Sequence, residues 1–126
     1  MLKTVSALSL TDPGLLCQAN YIDGKWVQAD SGATLEVKNP ATGELVGEVP
    51  AMGPAETRRA IEAAHRAFPL WRALLASERS TILRKLFDLM LQNTEDLARI
   101  MTAEQGKPLT ESRGEIAYAA SFIEWF

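Results

Sequence analysis

Leu35-Glu36-Val37-Lys38-Asn39-Pro40-Ala41-Thr42-Gly43-Glu44-Leu45-Val46-Gly47-Glu48-Val49-Pro50 is the stretch that decides how the chain is organised. Leu35-Glu36-Val37 alternates apolar and polar side chains, as a half-buried strand does. Pro40 drives Asn39 into extended geometry, and Gly43 can adopt a left-handed conformation, so Asn39–Gly43 reads as a turn. Leu45–Val49 then returns as a second strand, closed by Pro50. Upstream, Tyr21-Ile22-Asp23-Gly24-Lys25-Trp26-Val27 sets Asp-Gly between β-favouring residues, the signature of a tight type I′ hairpin. Two hairpins with four short strands are therefore expected before residue 51.

Downstream the apolar period changes from two to that of a helix. Gly53-Pro54 opens the first helix, with proline suited to its first turn. Thr57, Ala60, Ile61, Ala64, Ala67 and Phe68 share one face, and Pro69 is expected to end it. Ser77 is the expected N-cap of a second helix carrying Ile82, Leu83, Leu86, Phe87, Met90 and Leu91. Thr94 is expected to cap a third helix, with Leu97, Ile100 and Met101, which Gly106 closes at C′. Glu95 and Asp96 sit in its first turn, where negative charge complements the dipole. The fourth helix has a stripe of Leu109, Ser112, Ile116, Ala119 or Ala120, and Ile123. It has a second stripe of Tyr118, Phe122 and Trp125, with Phe126. Apolar residues on most sides demand burial on most sides, and no C-capping glycine follows. The expectation is that this end packs against a partner or against more chain. The segments are thus an arm (1–20), a β-hairpin segment (21–50) and a helical segment (51–126).

The 126 residues are 47% hydrophobic and 23% charged, with 13 basic and 16 acidic side chains and a net charge of −3. This is an ordinary globular composition with no basic excess for nucleic acid or an anionic membrane. No apolar run approaches the ~20 residues that span a bilayer. Met1–Leu10 lacks the long apolar core and cleavage site of a secretion signal, so a cytoplasmic protein is expected. One cysteine and one histidine exclude a Cys/His zinc cluster. Cys17 lies in an apolar stretch without a neighbouring cation and reads as inert. His65 has no nameable nucleophile or orienting partner and reads as structural. The glycines are scattered; there is no G-x-G-x-x-G, and Gly106-Lys107-Pro108 ends a helix rather than opening one. Glu111/Glu115 and Arg58/Glu62 read as solvated helix faces. Glu104, beside the free carbonyls of a helix end, is a candidate ligand for a hard cation. These features give an α+β chain without a self-contained catalytic constellation.

Five strings, in order, resemble the aldehyde dehydrogenase superfamily. They are Tyr21–Trp26, Val37–Glu44, Trp71 after Pro69, Glu104-Gln105-Gly106-Lys107-Pro108-Leu109, and Gly114–Phe126. The last is similar to the succinate-semialdehyde and glutarate-semialdehyde dehydrogenase branch. The resemblance implies an α/β, aldehyde dehydrogenase-like fold, in which this portion is two short β-hairpins and about four helices packed on the cofactor-binding domain. It implies oxidation of an aldehyde with a distal carboxylate, through a cysteine thiohemiacetal, with hydride passing to NAD or NADP. The family's cysteine, base and cofactor residues match no residue here, so no catalytic or cofactor-binding residue is assigned and the 126 residues alone are expected to be inactive. Glu115, Tyr118 and Phe122 match positions facing or close to the substrate tunnel; for Tyr118 and Phe122 a core role stays open. Lys38, through its main chain, and Glu104 match a monovalent-cation site of some members. A homodimer or homotetramer is implied for the whole protein. A betaine-aldehyde or simple-aldehyde branch, or a non-catalytic interaction module, are the alternatives.

Overall fold

A computed structural model describes residues 8–126; the expectation for Met1–Ala7 lies outside the described residues. A 3-10 turn at Pro13–Leu15 precedes β1 (Asn20–Ile22), β2 (Lys25–Val27), β3 (Thr34–Lys38) and β4 (Leu45–Pro50). Four helices follow: α1 (Pro54–Ala73), α2 (Ala76–Gln92), α3 (Thr94–Gln105) and α4 (Leu109–Trp125). The strands form two separate antiparallel pairs, β1–β2 and β3–β4. The two expected hairpins and four helices are thus present.

The β1–β2 register pairs Tyr21 with Trp26 and Ile22 with Lys25. Asp23 and Gly24 turn it with φ of 53° and 76°, which the Asp-Gly pair allows. In the second hairpin the Asn39 side chain accepts from the Ala41 amide at 2.9 Å, and the Gly43 amide donates to the Asn39 carbonyl at 2.7 Å. A bulge between Val37 and Lys38 bends the ladder before that turn. Gln18 joins the hairpins: its side-chain oxygen accepts from the Glu48 amide at 2.8 Å, and its carbonyl accepts from the Gln28 side chain at 3.0 Å. β4 is the buried strand, with Val46 only 1% exposed. Leu35 on β3 is exposed, contrary to its expected half-burial; the burial of this hairpin falls on β4.

The helical core is built on small residues. Ala98, Ser112 and Ala120 are all fully buried, and α4 packs on both α2 and α3. Small side chains let helix backbones approach closely, leaving large apolar groups for the outer faces. The buried Ser112 hydroxyl meets that of Thr102 at 2.9 Å across the α3–α4 seam, so neither is orphaned. Arg113 grips Glu95 with two bonds of 2.8 and 2.7 Å along the same seam, and Arg84 reaches Glu124 at 2.9 Å from α2 to α4.

Three helix-boundary expectations are corrected. Pro69 does not end α1, which continues to Ala73. Proline removes one intrahelical donor, and His65, whose carbonyl loses it, lies on an exposed turn open to solvent. Ser77 is not the cap of α2; Leu75 is, and the Glu78 carboxylate accepts from its amide at 2.7 Å. Thr94 does not cap α3 but begins it, after Asn93. Its hydroxyl donates back to the Leu91 carbonyl at 2.8 Å, tying the end of α2 to α3.

The α1 stripe is also reassigned. Glu56 and Ala63 are the buried residues of α1, while Ile61 and Phe68 are 65% and 56% exposed. β1 is the element α1 packs against, and it covers the other face.

Candidate functional site

α4 is sealed on one side and open on the other. Ser112, Ile116 and Ala120 are the buried residues of α4, so the stripe resolves in favour of Ala120 over Ala119. The second stripe is open: Tyr118, Phe122, Trp125 and Phe126 are exposed, Trp125 at 82%. Tyr118 and Phe122, four apart, meet edge-to-face with ring centroids 4.8 Å apart. The Ser121 hydroxyl donates to the Tyr118 carbonyl at 2.7 Å.

Two concavities share Tyr118. One, about 620 Å³, is lined by Tyr118, Ser121, Phe122, Glu124, Trp125 and Phe126. The other is lined by Glu111, Gly114, Glu115 and Tyr118. The residues singled out in the sequence, Glu115, Tyr118 and Phe122, therefore fall on one open surface. Glu115 is not simply solvated there: Lys107 donates to it at 2.5 Å from the turn before α4.

Lys38 and Glu104 lie on elements that meet. Gly106 closes α3 in the left-handed region, φ 76° and ψ 8°. A Cβ built on Gly106 would lie 2.8 Å from Pro40 Cγ, so the Asn39–Gly43 turn presses on the end of α3. Glycine is required there for conformation and for space. The Lys38 ammonium pairs with Glu36 at 2.8 Å. Among the described residues no group of three His, Cys, Asp or Glu side chains is placed to hold a metal.

Two buried carboxylates do work that the sequence reading did not assign. Glu56, 6% exposed, accepts from the Gly53 amide at 3.1 Å and the Asp30 amide at 3.2 Å. The amides of Glu56 itself and of Asp30 hold its carboxyl below the ordinary value. The available signal was its place three residues after the cap, the acidic half of a capping box. Asp96, 3% exposed, accepts from the Asp12 amide at 2.8 Å and the Thr11 amide at 3.0 Å. Those two bonds lower its pKa and fasten the arm to α3. Arg99 adds a bond to the Ser9 carbonyl. Nothing local in the sequence announces this pairing, which spans 84 positions. On the hairpin side, Arg59 grips Asp30 with bonds of 2.9 and 2.7 Å, and Arg66 reaches Asp23 at 3.3 Å.

Among the described residues neither nucleophile nor cofactor cradle is assembled. Cys17 is exposed, its thiol 3.4 Å from the Gly14 carbonyl, and His65 is exposed on α1. The one strand–turn–helix junction among the described residues, β4–Gly53–α1, resembles a phosphate-binding turn only in outline. Its Gly53 amide is already given to Glu56, and Pro54 has no amide to offer. The described residues thus do not fit a dinucleotide pyrophosphate. No described helix is long and apolar enough to cross a membrane.

The family model described as "Aldehyde dehydrogenase family" matches residues 26–126. A glutarate-semialdehyde dehydrogenase of Pseudomonas aeruginosa is 64% identical over 119 residues, 94% of this chain and 25% of the relative. The Escherichia coli succinate-semialdehyde dehydrogenase [NADP(+)] GabD is 57% identical over 119 residues, again 94% of this chain and 25% of the relative. A crystal structure of a succinate-semialdehyde dehydrogenase from Burkholderia pseudomallei superposes with a TM-score of 0.91 at 62% identity, covering 93% of this chain and 24% of that one. The chain spans about a quarter of the length of these relatives. Aldehyde dehydrogenases use NAD(P) as their cofactor. With a family model over most of its length and an α/β fold shared with solved members, this chain belongs to the aldehyde dehydrogenase family.

Proposed function

We propose that these residues serve an NAD(P)-dependent semialdehyde dehydrogenase acting on succinate or glutarate semialdehyde. The observation that carries this reading is the 64% and 57% identity to two enzymes named for those substrates. The chemistry is oxidation of an aldehyde to a carboxylate, with hydride leaving to the nicotinamide and the new oxygen coming from water. The nucleophile, base and nucleotide cradle belong to chain other than these residues.

The part played here is architectural and lining. Residues 21–126 form a portion of the cofactor-binding domain, preceded by the arm. The open face of α4, with Glu115, Tyr118 and Phe122, borders the substrate tunnel. In that setting Tyr118 and Phe122 offer an apolar wall for the substrate's methylenes. The Lys38 carbonyl and Glu104 hold a monovalent cation; the contact of Pro40 with Gly106, which draws their elements together, supports this. The working protein is a cytoplasmic homodimer or homotetramer.

The test is NAD(P)H absorbance in the polypeptide of family length that carries these residues. Succinate or glutarate semialdehyde should be turned over with NAD or NADP. Absence of turnover with both substrates and both nucleotides refutes the reading. The isolated 126 residues should give no NAD(P)H with any aldehyde.

A further inference from the structure

We propose that Lys107 is a specificity-determining residue: it neutralises Glu115 on the α4 concavity, so that an aldehyde bearing a distal negative charge is repelled less there. This inference rests on the reading that α4 borders the substrate tunnel, and deepens it. The concavity is lined by Tyr118, Glu111, Gly114 and Glu115, so the charged groups of its lining are two carboxylates. A surface of that sign is wrong for a carboxylate-bearing substrate. Lys107 offsets one of those two charges, its ammonium lying 2.5 Å from the Glu115 carboxylate, and leaves the charge of Glu111.

The placement of Lys107 is built, not incidental. Gly106 before it is left-handed and pressed against Pro40, and Pro108 after it has φ −56°. The backbone of Lys107 is therefore held on both sides by residues with restricted choices. Its side chain is 25% exposed, whereas the cations of the other ion pairs among the described residues are 40–61% exposed. A partly covered cation is less screened and acts more strongly on its neighbour. Gly114 adds no side chain to the concavity, and a Cβ there would meet nothing within 4 Å among the described residues. The floor is open, and the Lys107–Glu115 pair decides whether the rim carries the charge of Glu111 alone or of two carboxylates. Lys107 acts through Glu115 and is a positioning residue, not a catalytic one.

The experiment measures kcat and KM separately, in the family-length enzyme, for succinate semialdehyde and for uncharged butanal. Lys107→Met should raise KM for succinate semialdehyde relative to that for butanal on the order of ten-fold, with kcat held, because a carboxylate is left uncompensated near the bound anion. The relative rise should shrink at high salt. Lys107→Arg should keep the wild-type ratio, and Lys107→Met combined with Glu115→Gln should restore it. An equal change for both aldehydes in Lys107→Met, or no restoration in the double variant, overturns the inference while the proposed function stands. Wild-type enzyme that oxidises butanal but not the semialdehydes overturns the proposed function and this inference with it. Should Lys107→Met fold poorly, Lys107→Gln removes the same charge and should raise the same ratio, and an unchanged ratio there overturns the inference.

Discussion

Replacing Gly106 by alanine tests the junction that brings the β3–β4 turn to the end of α3. Two separate penalties apply. At φ 76° the backbone is left-handed, which costs a residue with a Cβ roughly 1–2 kcal/mol. The new Cβ would also sit 2.8 Å from Pro40 Cγ, closer than real Cβ contacts come. Overpacking of this kind costs about 1–3 kcal/mol. The expected loss is therefore roughly 2–5 kcal/mol, the range spanned by the two penalties together. Gly32→Ala supplies the control, since Gly32 has φ 69° but nothing within 4 Å of a built Cβ. It should lose only the conformational part, about 1–2 kcal/mol. Equilibrium urea unfolding of the 126-residue chain, followed by tryptophan fluorescence, reads both losses. Pro40→Ala removes the Cγ, so the Gly106→Ala/Pro40→Ala cycle isolates the clash as a coupling of about 1–3 kcal/mol. A coupling near zero, or equal losses at Gly106 and Gly32, would refute the close approach, and with it the support for a shared Lys38–Glu104 site.

Three further outcomes follow from the same geometry. Asp96 and Glu56 have pKa values lowered by amides that they accept from, so the stability they supply is complete above the unfolded carboxylate values. It is lost as pH falls through their lowered folded values. Hydrogen exchange should show the Thr11 and Asp12 amides losing protection in that acid window, and Asp96→Asn should remove most of it at neutral pH. Protection unchanged by Asp96→Asn would contradict the clamp. Thr102→Val leaves the fully buried Ser112 hydroxyl without its partner and should cost about 1–3 kcal/mol in urea unfolding. The Ser112→Ala/Thr102→Val pair should cost less than the sum of the single changes, and simple additivity would speak against the bond. Trp125→Ala should change the stability of the 126-residue chain by less than about 0.5 kcal/mol, because the ring is 82% exposed. In a polypeptide of the relatives' length it should cost about 3–5 kcal/mol by thermal unfolding. Equal small effects in both would mean that nothing covers this face.

What could be read from the residues were local choices with few alternatives. Asp23-Gly24 admits a tight hairpin, Pro54 suits a helix start, and Gly106 suits a left-handed stop; each stands as expected. The α4 stripe was also legible, since Ser112, Ile116 and Ala120 recur at helical spacing. The boundaries at Pro69, Ser77 and Thr94 were misread because each cue has more than one resolution. A proline can be tolerated where its orphaned carbonyl meets water. A glutamate at N3 can cap from within, and a threonine hydroxyl can bond backwards instead of forwards. The α1 stripe was misread because periodicity tells which residues share a face, not which face meets a neighbour.

The sequence by itself determined the type and order of the elements, the hairpin geometry and, through Tyr21–Trp26, Val37–Glu44, Trp71, Glu104–Leu109 and Gly114–Phe126, the family. These are properties of adjacent residues, set by backbone sterics and by side-chain period. Only the tertiary structure decided that Asp96 holds the arm, that Pro40 presses on Gly106, and that Lys107 meets Glu115 on an open face of α4. Each depends on where separate elements come to rest, and the packing of α4 on α2 and α3 sets that, not any local preference. A buried carboxylate is tolerated only where folding delivers donors to it, so its role is invisible until the chain is folded.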